Sequence, residues 1–319
     1  MATILRGINI SGGEFAGGGA PGRLGVQYTY PTKAEIDYYS SLGFTVIRVP
    51  FMWERLQPSL YGALSEQDRA LLREVVDYAT GKGMVVVLDM HNYARRATGA
   101  NYGTVSLIGS AQVPVDALTD GWARIAADYR SNARVWLGLM NEPYGISAAQ
   151  WWPVAQQLVK DLRGQSINNT LLVPGTSWTG AHSWTSSGNA AAAEGFVDPI
   201  NKSVFEVHQY LDADSSGKSP SCVTGSGARV AGVINWAKAR GVKLFMGEMA
   251  ASGEGACGVE YRDMLNRMES SGVFAGWTAW GGGTWWVANY PFRTLTTAWP
   301  DTSQTTPHLK YLLEYLKNP

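Results

Sequence analysis

Short apolar runs alternate along the chain with longer segments in which apolar residues recur at helical spacing. The apolar runs predict eight strands: Ile4–Ile10, Thr45–Val49, Met84–Leu88, Val135–Met140, Thr170–Val173, Val204–His208, Lys243–Met246 and Val273–Ala279. The longer segments predict helices at Ser65–Thr80, Val115–Arg130, Ala148–Arg163, Arg229–Arg240, Glu260–Ser270 and Thr306–Lys317. The helix after the fifth strand is weakly marked, because Ser183–Ala193 is small and polar.

Strands at intervals of roughly 40 residues, with helices between them, predict an α/β fold built as a single (β/α)8 barrel of the TIM type. Several of the strands are almost continuously apolar, which is typical of strands buried on both faces. No Pro/Ser-rich linker or run of like charges divides the chain, so we expect one domain over residues 1–319. A doubly wound open sheet is the alternative that this alternation leaves open.

The composition argues against some classes of binding partner and favours others. With 45% hydrophobic residues and 16% charged residues the chain is not of the disordered type. Its 26 basic and 26 acidic side chains give zero net charge, which argues against nucleic acid and anionic membranes as partners. No apolar run approaches the roughly 20 residues of a membrane span. The 13 Trp and 15 Tyr, set among few charges, favour flat, uncharged ligands such as sugars.

The N-terminus and the two cysteines bear on localisation. Met1–Arg6 leads directly into an apolar segment and lacks the charged start and apolar stretch of a signal peptide. Cys222 and Cys257 lie in Ser/Gly-rich surroundings typical of loops, and a bond between them would stabilise the fold by about 3–4 kcal/mol. Two unpaired thiols are the alternative. A disulfide favours secretion, so we expect an extracellular protein whose signal peptide is absent from the printed chain.

Polar residues gather where the predicted strands end, which is where the chemistry of such barrels lies. Arg48 lies within the second strand, and His91 and Asn92 follow the third. The remaining polar or aromatic residues at strand ends are Asn141 and Glu142 before Pro143, then His208, Tyr210, Glu248 and Trp280. Each alone has a structural explanation, such as an ion pair or a helix cap. Their joint occurrence at successive strand ends indicates a functional site.

Several kinds of chemistry are excluded by motifs that the chain lacks. The four histidines show no His-Glu-x-x-His spacing, and neither a Gly-x-Ser-x-Gly elbow nor a phosphate-binding Gly-x-x-x-x-Gly-Lys-Ser/Thr loop is present. The segment Gly17–Gly22 matches Gly-x-Gly-x-x-Gly literally. However, Pro21 interrupts it and no amphipathic helix follows, so the segment does not predict a dinucleotide site.

Two glutamates, Glu142 and Glu248, remain at the ends of the fourth and seventh strands. Glycosidic cleavage needs one carboxyl group to protonate the leaving oxygen and a second to meet the developing oxocarbenium ion. At roughly 5–5.5 Å apart, the second acts as nucleophile and the configuration is retained.

The neighbouring polar residues are expected to support this chemistry. Asn141 could donate to the sugar 2-hydroxyl, and Arg48 and Tyr210 are the partners expected to keep Glu248 ionised. Hydrogen bonds to hydroxyls and carboxylates would come from His91, Asn92 and His208.

Together these residues resemble glycoside hydrolase family 5. The resemblance rests on an ordered series over most of the chain: Arg48, His91-Asn92, Asn141-Glu142-Pro143, His208-x-Tyr210, Glu248 and Trp280. It implies Glu142 as acid/base and Glu248 as nucleophile. It also implies active-site roles for Arg48, His91, Asn141, His208, Tyr210 and Trp280.

Three further segments are similar to the branch with fungal-type endoglucanases: Asn9–Phe15, Phe51–Leu56 and Ser177–His182. That branch tends to carry a disulfide near the sixth and seventh strands, which suits Cys222 and Cys257. The implied activity is endo-1,4-β-D-glucan hydrolysis of cellulose and mixed-linkage β-glucan, without metal or cofactor. The cellulose-binding module often joined to such enzymes, and its linker, have no counterpart here. A monomer is the default expectation.

The tryptophans divide by predicted position. Trp280 ends a strand beside the glutamates and is expected to lie under the cleaved sugar, since an indole stacks on a pyranose face. Trp178 and Trp285 are expected as further substrate platforms. Weaker candidates are Trp53, Trp184 and Trp286, whereas packing roles are expected for Trp122, Trp136, Trp151, Trp152 and Trp236. A mannanase of the same family and a non-catalytic carbohydrate-binding barrel are the alternatives; two desolvated carboxylates argue against the second.

Overall fold

Eight parallel strands close into a barrel in the order β1-β2-β3-β6-β7-β8-β9-β10 in the computed structural model, which describes residues 4–15, 21–98 and 103–316. These strands are β1 (Leu5–Ile10), β2 (Val46–Phe51), β3 (Val85–Met90), β6 (Val135–Gly138), β7 (Leu171–Pro174), β8 (Ser203–Tyr210), β9 (Leu244–Ala250) and β10 (Phe274–Gly282). The predicted barrel is confirmed, and the open sheet is excluded because β10 pairs with β1.

Helices surround the barrel. They are α1 (Lys33–Ser41), α2 (Trp53–Leu56), α3 (Glu66–Gly81), α4 (Val115–Ala127), α5 (Ala148–Gly164), α6 (Asn189–Ala192), α7 (Ala231–Arg240), α8 (Cys257–Ser271) and α9 (Pro307–Leu316). The weakly marked segment after β7 forms only the four-residue α6 and short 3-10 turns. Within the described ranges, none of these helices combines the length and apolar content that a membrane span requires.

Helices α1 and α2 and a two-stranded ribbon arise where the hydrophobic pattern predicts no element. Helix α1 begins at a capping box in which the Thr32 side chain and Glu35 each accept a hydrogen bond from the other's backbone N–H. Strands β4 (Arg95–Thr98) and β5 (Thr104–Leu107) form an antiparallel ribbon outside the barrel. Their residues are mostly polar or exposed, so neither strand leaves a clear alternation in the sequence.

The strand ends also differ from the prediction, and the difference concerns the site. Strands β8 and β9 continue to Tyr210 and Ala250, so His208, Tyr210 and Glu248 lie inside strands, whereas β6 already ends at Gly138. Pairing between β8 and β9 continues through these polar positions. The site is therefore carried largely by the barrel wall, and loops add to it.

The inside of the barrel is divided along its axis. Its lower part is filled by apolar side chains from alternate strand positions, Val46, Val85, Val87, Leu172, Val204 and Phe245. Two residues further along the same strands the inner positions become polar: Arg48 follows Val46, and Glu206 follows Val204. A larger apolar core fills the space between the barrel and its helices. The apolar layer thus forms a floor beneath a polar cup at the C-terminal ends of the strands.

Candidate active site

Arg48, fully buried in β2, lies at the base of the polar cup. Its guanidinium contacts two amide oxygens and three carboxylates. These are Asn9 Oδ1 and Asn141 Oδ1 at 2.9 Å, Glu248 Oε1 and Asp89 Oδ1 at 3.0 Å, and Glu206 Oε1 at 3.1 Å. Burial works against the charged form, but the three anions outweigh it and raise the pKa of Arg48 above its usual value. Arg48 is therefore a permanent cation beneath the site.

Glu248 reaches the cup because β9 contains a bulge. Met246 pairs with Val207 and Glu248 pairs with His208, so Gly247 is an extra residue in the ladder. The carbonyl of Gly247 accepts hydrogen bonds from Asn9 Nδ2 at 2.8 Å and from Thr278 Oγ1 at 2.6 Å. An extra residue moves every later residue of the strand to the opposite face, and Glu248 consequently points into the cup.

Both oxygens of Glu248 accept hydrogen bonds. Arg48 Nη1 donates to Oε1 at 3.0 Å, and the hydroxyl of Tyr210 donates to Oε2 at 2.8 Å. Both donors were expected for this carboxylate from the sequence. They fix the orientation of the carboxylate, with one oxygen toward each donor.

Glu142 follows β6 in a strained backbone conformation, with φ of 40°. Its Oε1 lies 2.8 Å from Nδ1 of His208. Burial raises the pKa of Glu142, and the negative charge of Glu248 adds to the increase, while the hydrogen bond from His208 works against it. The two glutamates thus differ in their surroundings, since Glu248 lies next to a fixed cation and the pKa of Glu142 is raised by burial.

The two carboxylates are close together. One ligand-type atom each from Glu142, Glu248 and His208 lies within 4.8 Å of the other two. A divalent metal could use such a set, but hydrogen bonding already accounts for it, because Nδ1 of His208 faces Glu142 at 2.8 Å and Glu248 at 3.7 Å. The expectation that no metal or cofactor is needed stays a prediction.

His91 forms a second histidine cluster beside the glutamates. Its Nδ1 lies 2.7 Å from Asp89 Oδ2, and its Nε2 lies 3.1 Å from the Tyr93 hydroxyl and 3.2 Å from Asn141 Nδ2. Burial lowers the pKa of His91, but the carboxylate of Asp89 outweighs it and the net shift is upward. The ring of His91 also stacks on Trp280, with centroids 5.6 Å apart.

Asn92 contacts other groups than those expected from the sequence. Its Oδ1 accepts from the backbone N–H of Trp53 at 2.8 Å, and its Nδ2 donates to Glu54 Oε2 at 2.6 Å. Glu54 in turn accepts from the backbone N–H of Ala97 at 2.7 Å. Asn92 therefore ties α2 and the β4–β5 ribbon to the site, and its amide is engaged away from the two glutamates.

A cleft of about 690 Å³ runs over this cluster. One part of its wall comes from the segment with Glu14 and Phe15 and from Trp280 and Trp286. The opposite part comes from the residues after β3 and the β4–β5 ribbon, namely Tyr93, Arg95, Arg96, Ala97 and Val105, together with Tyr144. The ribbon that the sequence pattern did not reveal is thus a wall of the cleft.

The three expected platform residues differ in exposure. Trp280 is only 8% exposed and lines the cleft against His91, whereas Trp178 is 54% and Trp285 36% exposed. Trp178 stacks on Tyr144 with centroids 5.1 Å apart, and Arg95 covers the Tyr144 ring at 3.7 Å. The backbone holds Trp178 outward, because Ser177, Trp178 and Thr179 all have φ near 50°.

Two of the weaker platform candidates are excluded by burial. Trp53 and Trp184 are 0% exposed and belong to the packing between the barrel and its helices. Trp286 lines the cleft, where it stacks on Tyr290 at 4.1 Å and packs edge-on against Phe15 at 4.9 Å. The five tryptophans expected to pack do so: Trp122, Trp151 and Trp152 in the buried core, and Trp136 and Trp236 partly buried against it.

The expected disulfide joins Cys222 to Cys257. It connects the loop after β8 with the start of α8, next to Ser252 in the loop after β9. Of the glycine-rich motif, Gly17–Gly19 lie outside the described residues. The described part, Pro21–Val26, forms no helix, in keeping with the rejection of a dinucleotide site.

Asp89 and Glu206 are participants to which sequence reasoning assigned no role. Each carboxylate lies two residues before a histidine on its strand, Asp89 before His91 and Glu206 before His208. Residues i and i+2 of a strand share a face, so an acid two residues before a site histidine is a signal that could have identified both. Tyr144 gives no comparable signal, since its position depends on the conformation of the loop after β6.

Comparisons with known proteins agree with this geometry. A family model described as Cellulase (glycosyl hydrolase family 5) matches residues 6–283. Endoglucanase 1 of Robillarda sp. is 33% identical over 318 residues, covering 93% of this chain and 82% of that protein. An endo-β-1,4-glucanase from Xanthomonas axonopodis pv. citri superposes with a TM-score of 0.91 at 36% identity, covering 99% of each chain. XacCel5A in complex with cellopentaose gives a TM-score of 0.91 at 38% identity, covering 99% of this chain and 100% of that one.

Proposed function

The chain belongs to glycosyl hydrolase family 5, and from that premise we propose that it is an endo-β-1,4-glucanase acting on cellulose and mixed-linkage β-glucan. The observation that carries the proposal is the glutamate pair, partly buried Glu142 and buried Glu248, with ligand atoms within 4.8 Å, beside an open cleft lined by His91 and Trp280. This spacing supports retention of configuration, for which the carboxyl groups stand roughly 5–5.5 Å apart.

In the first step Glu248 attacks the anomeric carbon and forms a glycosyl ester, while Glu142 gives its proton to the leaving glycosidic oxygen. Arg48 and Tyr210 hold the attacking carboxylate in its ionised form until the bond forms. Burial and the charge of Glu248 keep the pKa of Glu142 raised, so that Glu142 begins as an acid.

In the second step the roles of the two glutamates change. The ester removes the negative charge of Glu248, and with it one cause of the raised pKa of Glu142. Glu142 then accepts a proton from water, which attacks the anomeric carbon and releases Glu248. The sugar product keeps its configuration because the carbon is inverted twice.

The substrate is a polysaccharide chain laid across indole faces. Trp280 supports the sugar at the site of cleavage, and Trp178 and Trp285 provide exposed platforms beyond it. Stacking of a pyranose face on an indole needs no charge on the ligand. The disulfide supports secretion into an oxidising compartment, and the protein acts as a monomer.

Reducing-end release from carboxymethyl cellulose and from β-mannan, run in parallel, tests the proposal. We expect strong release from the glucan, little from the mannan, and a fall in viscosity that precedes most of the release. The reverse preference would make the protein a mannanase of the same family. No release from either polymer would leave the non-catalytic carbohydrate-binding barrel.

The assignment of residues has its own test. Glu248→Gln should abolish turnover while binding of cellooligosaccharides persists, and Glu194→Gln, at an exposed glutamate after α6, serves as the matched control. NMR of the first product formed by the wild-type protein should show the β-anomer. Exhaustive treatment with a chelator should leave the rate unchanged, and a rate restored only by added metal would overturn the expectation that none is needed.

A further inference from the structure

Glu206 is a third carboxylate beside the glutamate pair, and no step of the proposed mechanism uses it. It is fully buried in β8, two residues before His208 and therefore on the same face of the strand. Its Oε1 lies 3.1 Å from Arg48 Nε and 3.4 Å from His208 Nε2. Because Arg48 is a permanent cation, this contact places a positive charge directly beside the Glu206 carboxylate.

His208 consequently lies between two carboxyl groups. Its Nδ1 faces Glu142 Oε1 at 2.8 Å, and its Nε2 faces Glu206 Oε1 at 3.4 Å. A neutral imidazole has one donor and one acceptor, so it would turn a lone pair toward one of these oxygens. An imidazolium donates to both. The arrangement therefore favours the doubly protonated ring.

The backbone opposite provides the space for this contact. A Cβ on Gly247 would overlap Glu206 Oε1 and would come within 2.7 Å of His208 Nε2. Gly247 is also the extra residue of the β9 bulge. The same glycine thus turns Glu248 into the cup and leaves room for Glu206 behind His208.

We propose that Glu206 is a positioning residue that acts through His208: its fixed negative charge keeps His208 an imidazolium, which donates to Oε1 of Glu142 and leaves Oε2 to deliver the catalytic proton. This inference rests on the proposed function, since it concerns the acid of that reaction. The charged and titratable groups around His208 are Glu142 after β6, Glu206 and Tyr210 on β8, Glu248 on β9, Arg48 on β2, and Asp89 and His91 at the end of β3.

The balance of these groups supports the charged ring. Burial favours neutral His208, but the charge of Glu248 and the hydrogen bonds to Glu142 and Glu206 raise its pKa to about 10. Glu248 loses its charge in the glycosyl ester, whereas Glu206 takes part in no covalent step and stays in contact with Arg48. Glu206 is thus a counter-charge to His208 that lasts through both steps.

The pH dependence of kcat/KM on a soluble cellooligosaccharide tests the proposal in two matched variants, Glu206→Gln and Glu206→Asp. Removing a negative charge lowers the pKa of every acid nearby, so Glu206→Gln should move the alkaline limb to lower pH by about one unit or more. Glu206→Asp keeps the charge. The alkaline limb of its pH profile should therefore lie at the same pH as that of the wild type, even if the rate of the variant is lower. A purely structural role predicts slower variants with unmoved limbs. That result, or equal shifts in both variants, would overturn the proposal.

A second measurement needs no turnover. In wild-type protein labelled with 15N-histidine, His208 should show two protonated ring nitrogens from pH 5 to 8, with His208→Asn used to assign the signals. A neutral ring at pH 7 would overturn the proposal. Absence of glucan hydrolysis by the wild type would instead refute the proposed function and would leave this protonation state to be judged separately.

Discussion

Two buried histidines show how different the neighbourhoods of this barrel are. His208 faces carboxylates on both sides, and its pKa is raised to about 10. His308 in α9 lies between the backbone carbonyl of Phe292 at 2.9 Å and the hydroxyl of Tyr261 at 3.1 Å. For His308 burial dominates and lowers the pKa to about 4. Equal burial thus gives opposite charge states, and the neighbours decide which.

The same contrast separates the polar cup from the packing around the barrel. In the cup, charges are held close together around one arginine, and removing a partner leaves another charge without compensation. Both ring nitrogens of His308 have neutral partners, and its neighbours Tyr261 and Leu309 belong to the apolar core. We therefore expect substitutions in the cup that leave the contacts of Arg48 intact to change mainly the chemistry, and substitutions in the packing to change mainly the stability.

The largest effect should come from Glu142→Gln. The amide can still accept the hydrogen bond from His208 but has no acidic proton, so kcat should fall by about 10²- to 10⁴-fold on substrates with poor leaving groups. Its free energy of unfolding, from urea titration, should stay within about 1 kcal/mol of the wild type. A large loss of stability with modest loss of rate would break the comparison.

Removing the disulfide should lower the stability and leave the catalytic rate nearly unchanged. Cys222 and Cys257 are separated by 35 residues, and opening a loop of that length costs about 3–4 kcal/mol in the chain-entropy model. The double variant Cys222→Ser/Cys257→Ser should therefore unfold at markedly lower urea concentration, while kcat at 25 °C changes less than threefold. Dithiothreitol treatment of the wild type is the matching control.

The two histidines should differ in the sign of their pH effect on stability. The unfolded chain protonates His308 below about pH 6.5, whereas the folded chain protonates it only near pH 4. Neutral His308 therefore stabilises the folded state above about pH 6.5, and this stabilisation of about 3 kcal/mol is lost as the pH falls to 4. For His208 the folded chain binds the proton more tightly than the unfolded chain. Protonated His208 therefore adds to the free energy of unfolding below about pH 6.5, and this stabilisation is lost as the pH rises toward 10. Unfolding free energies of His308→Gln and His208→Asn across this range, each taken relative to the wild type, should diverge in opposite directions. Parallel curves would contradict the comparison.

The smallest effect should come from replacing the exposed tryptophans Trp178 and Trp285. Trp178→Ala removes an exposed indole braced by Tyr144, and kcat/KM on cellooligosaccharides should fall about five- to thirtyfold, or about 1–2 kcal/mol. Trp178→Phe should recover part of the loss, and Trp285→Ala should lose less because Trp285 is less exposed. If both alanine variants match the wild type, the platforms lie elsewhere in the cleft.

The barrel and most of the cup could be predicted from the sequence because both depend on local pattern. Buried parallel strands are continuous apolar runs, and the carboxyl ends of such strands meet at one face, so Glu142 and Glu248 were expected to lie close together. Helix α1 also had a signal, since Thr32 lies three residues before Glu35 in a capping box. Its apolar periodicity is weak, and the segment was therefore not predicted as a helix.

Other parts of the site depend on contacts that no local pattern encodes. The β4–β5 ribbon is held by a hydrogen bond from Ala97 to Glu54, a residue 43 positions earlier in the chain. The sequence predicts Asn92 as a supporting residue that hydrogen-bonds the substrate hydroxyls and the carboxylates, but its amide instead contacts Trp53 and Glu54 of α2. The outward position of Trp178 follows from a local backbone conformation that side-chain periodicity does not record.

The extra residue in β9 makes the length of this strand as important as its composition. Before Gly247 the odd-numbered Phe245 faces into the barrel, and after it the even-numbered Glu248 does. Without the bulge, a strand of the same length would turn Glu248 toward the surrounding helices, and inserting one residue between Leu244 and Gly247 would do the same if the bulge were kept. In the neighbouring loops the side chains do not alternate between two faces, so a change of loop length does not reverse their direction. One-residue insertions should thus be tolerated in the loops and exclude activity in β9, even where every side chain of the cup is retained.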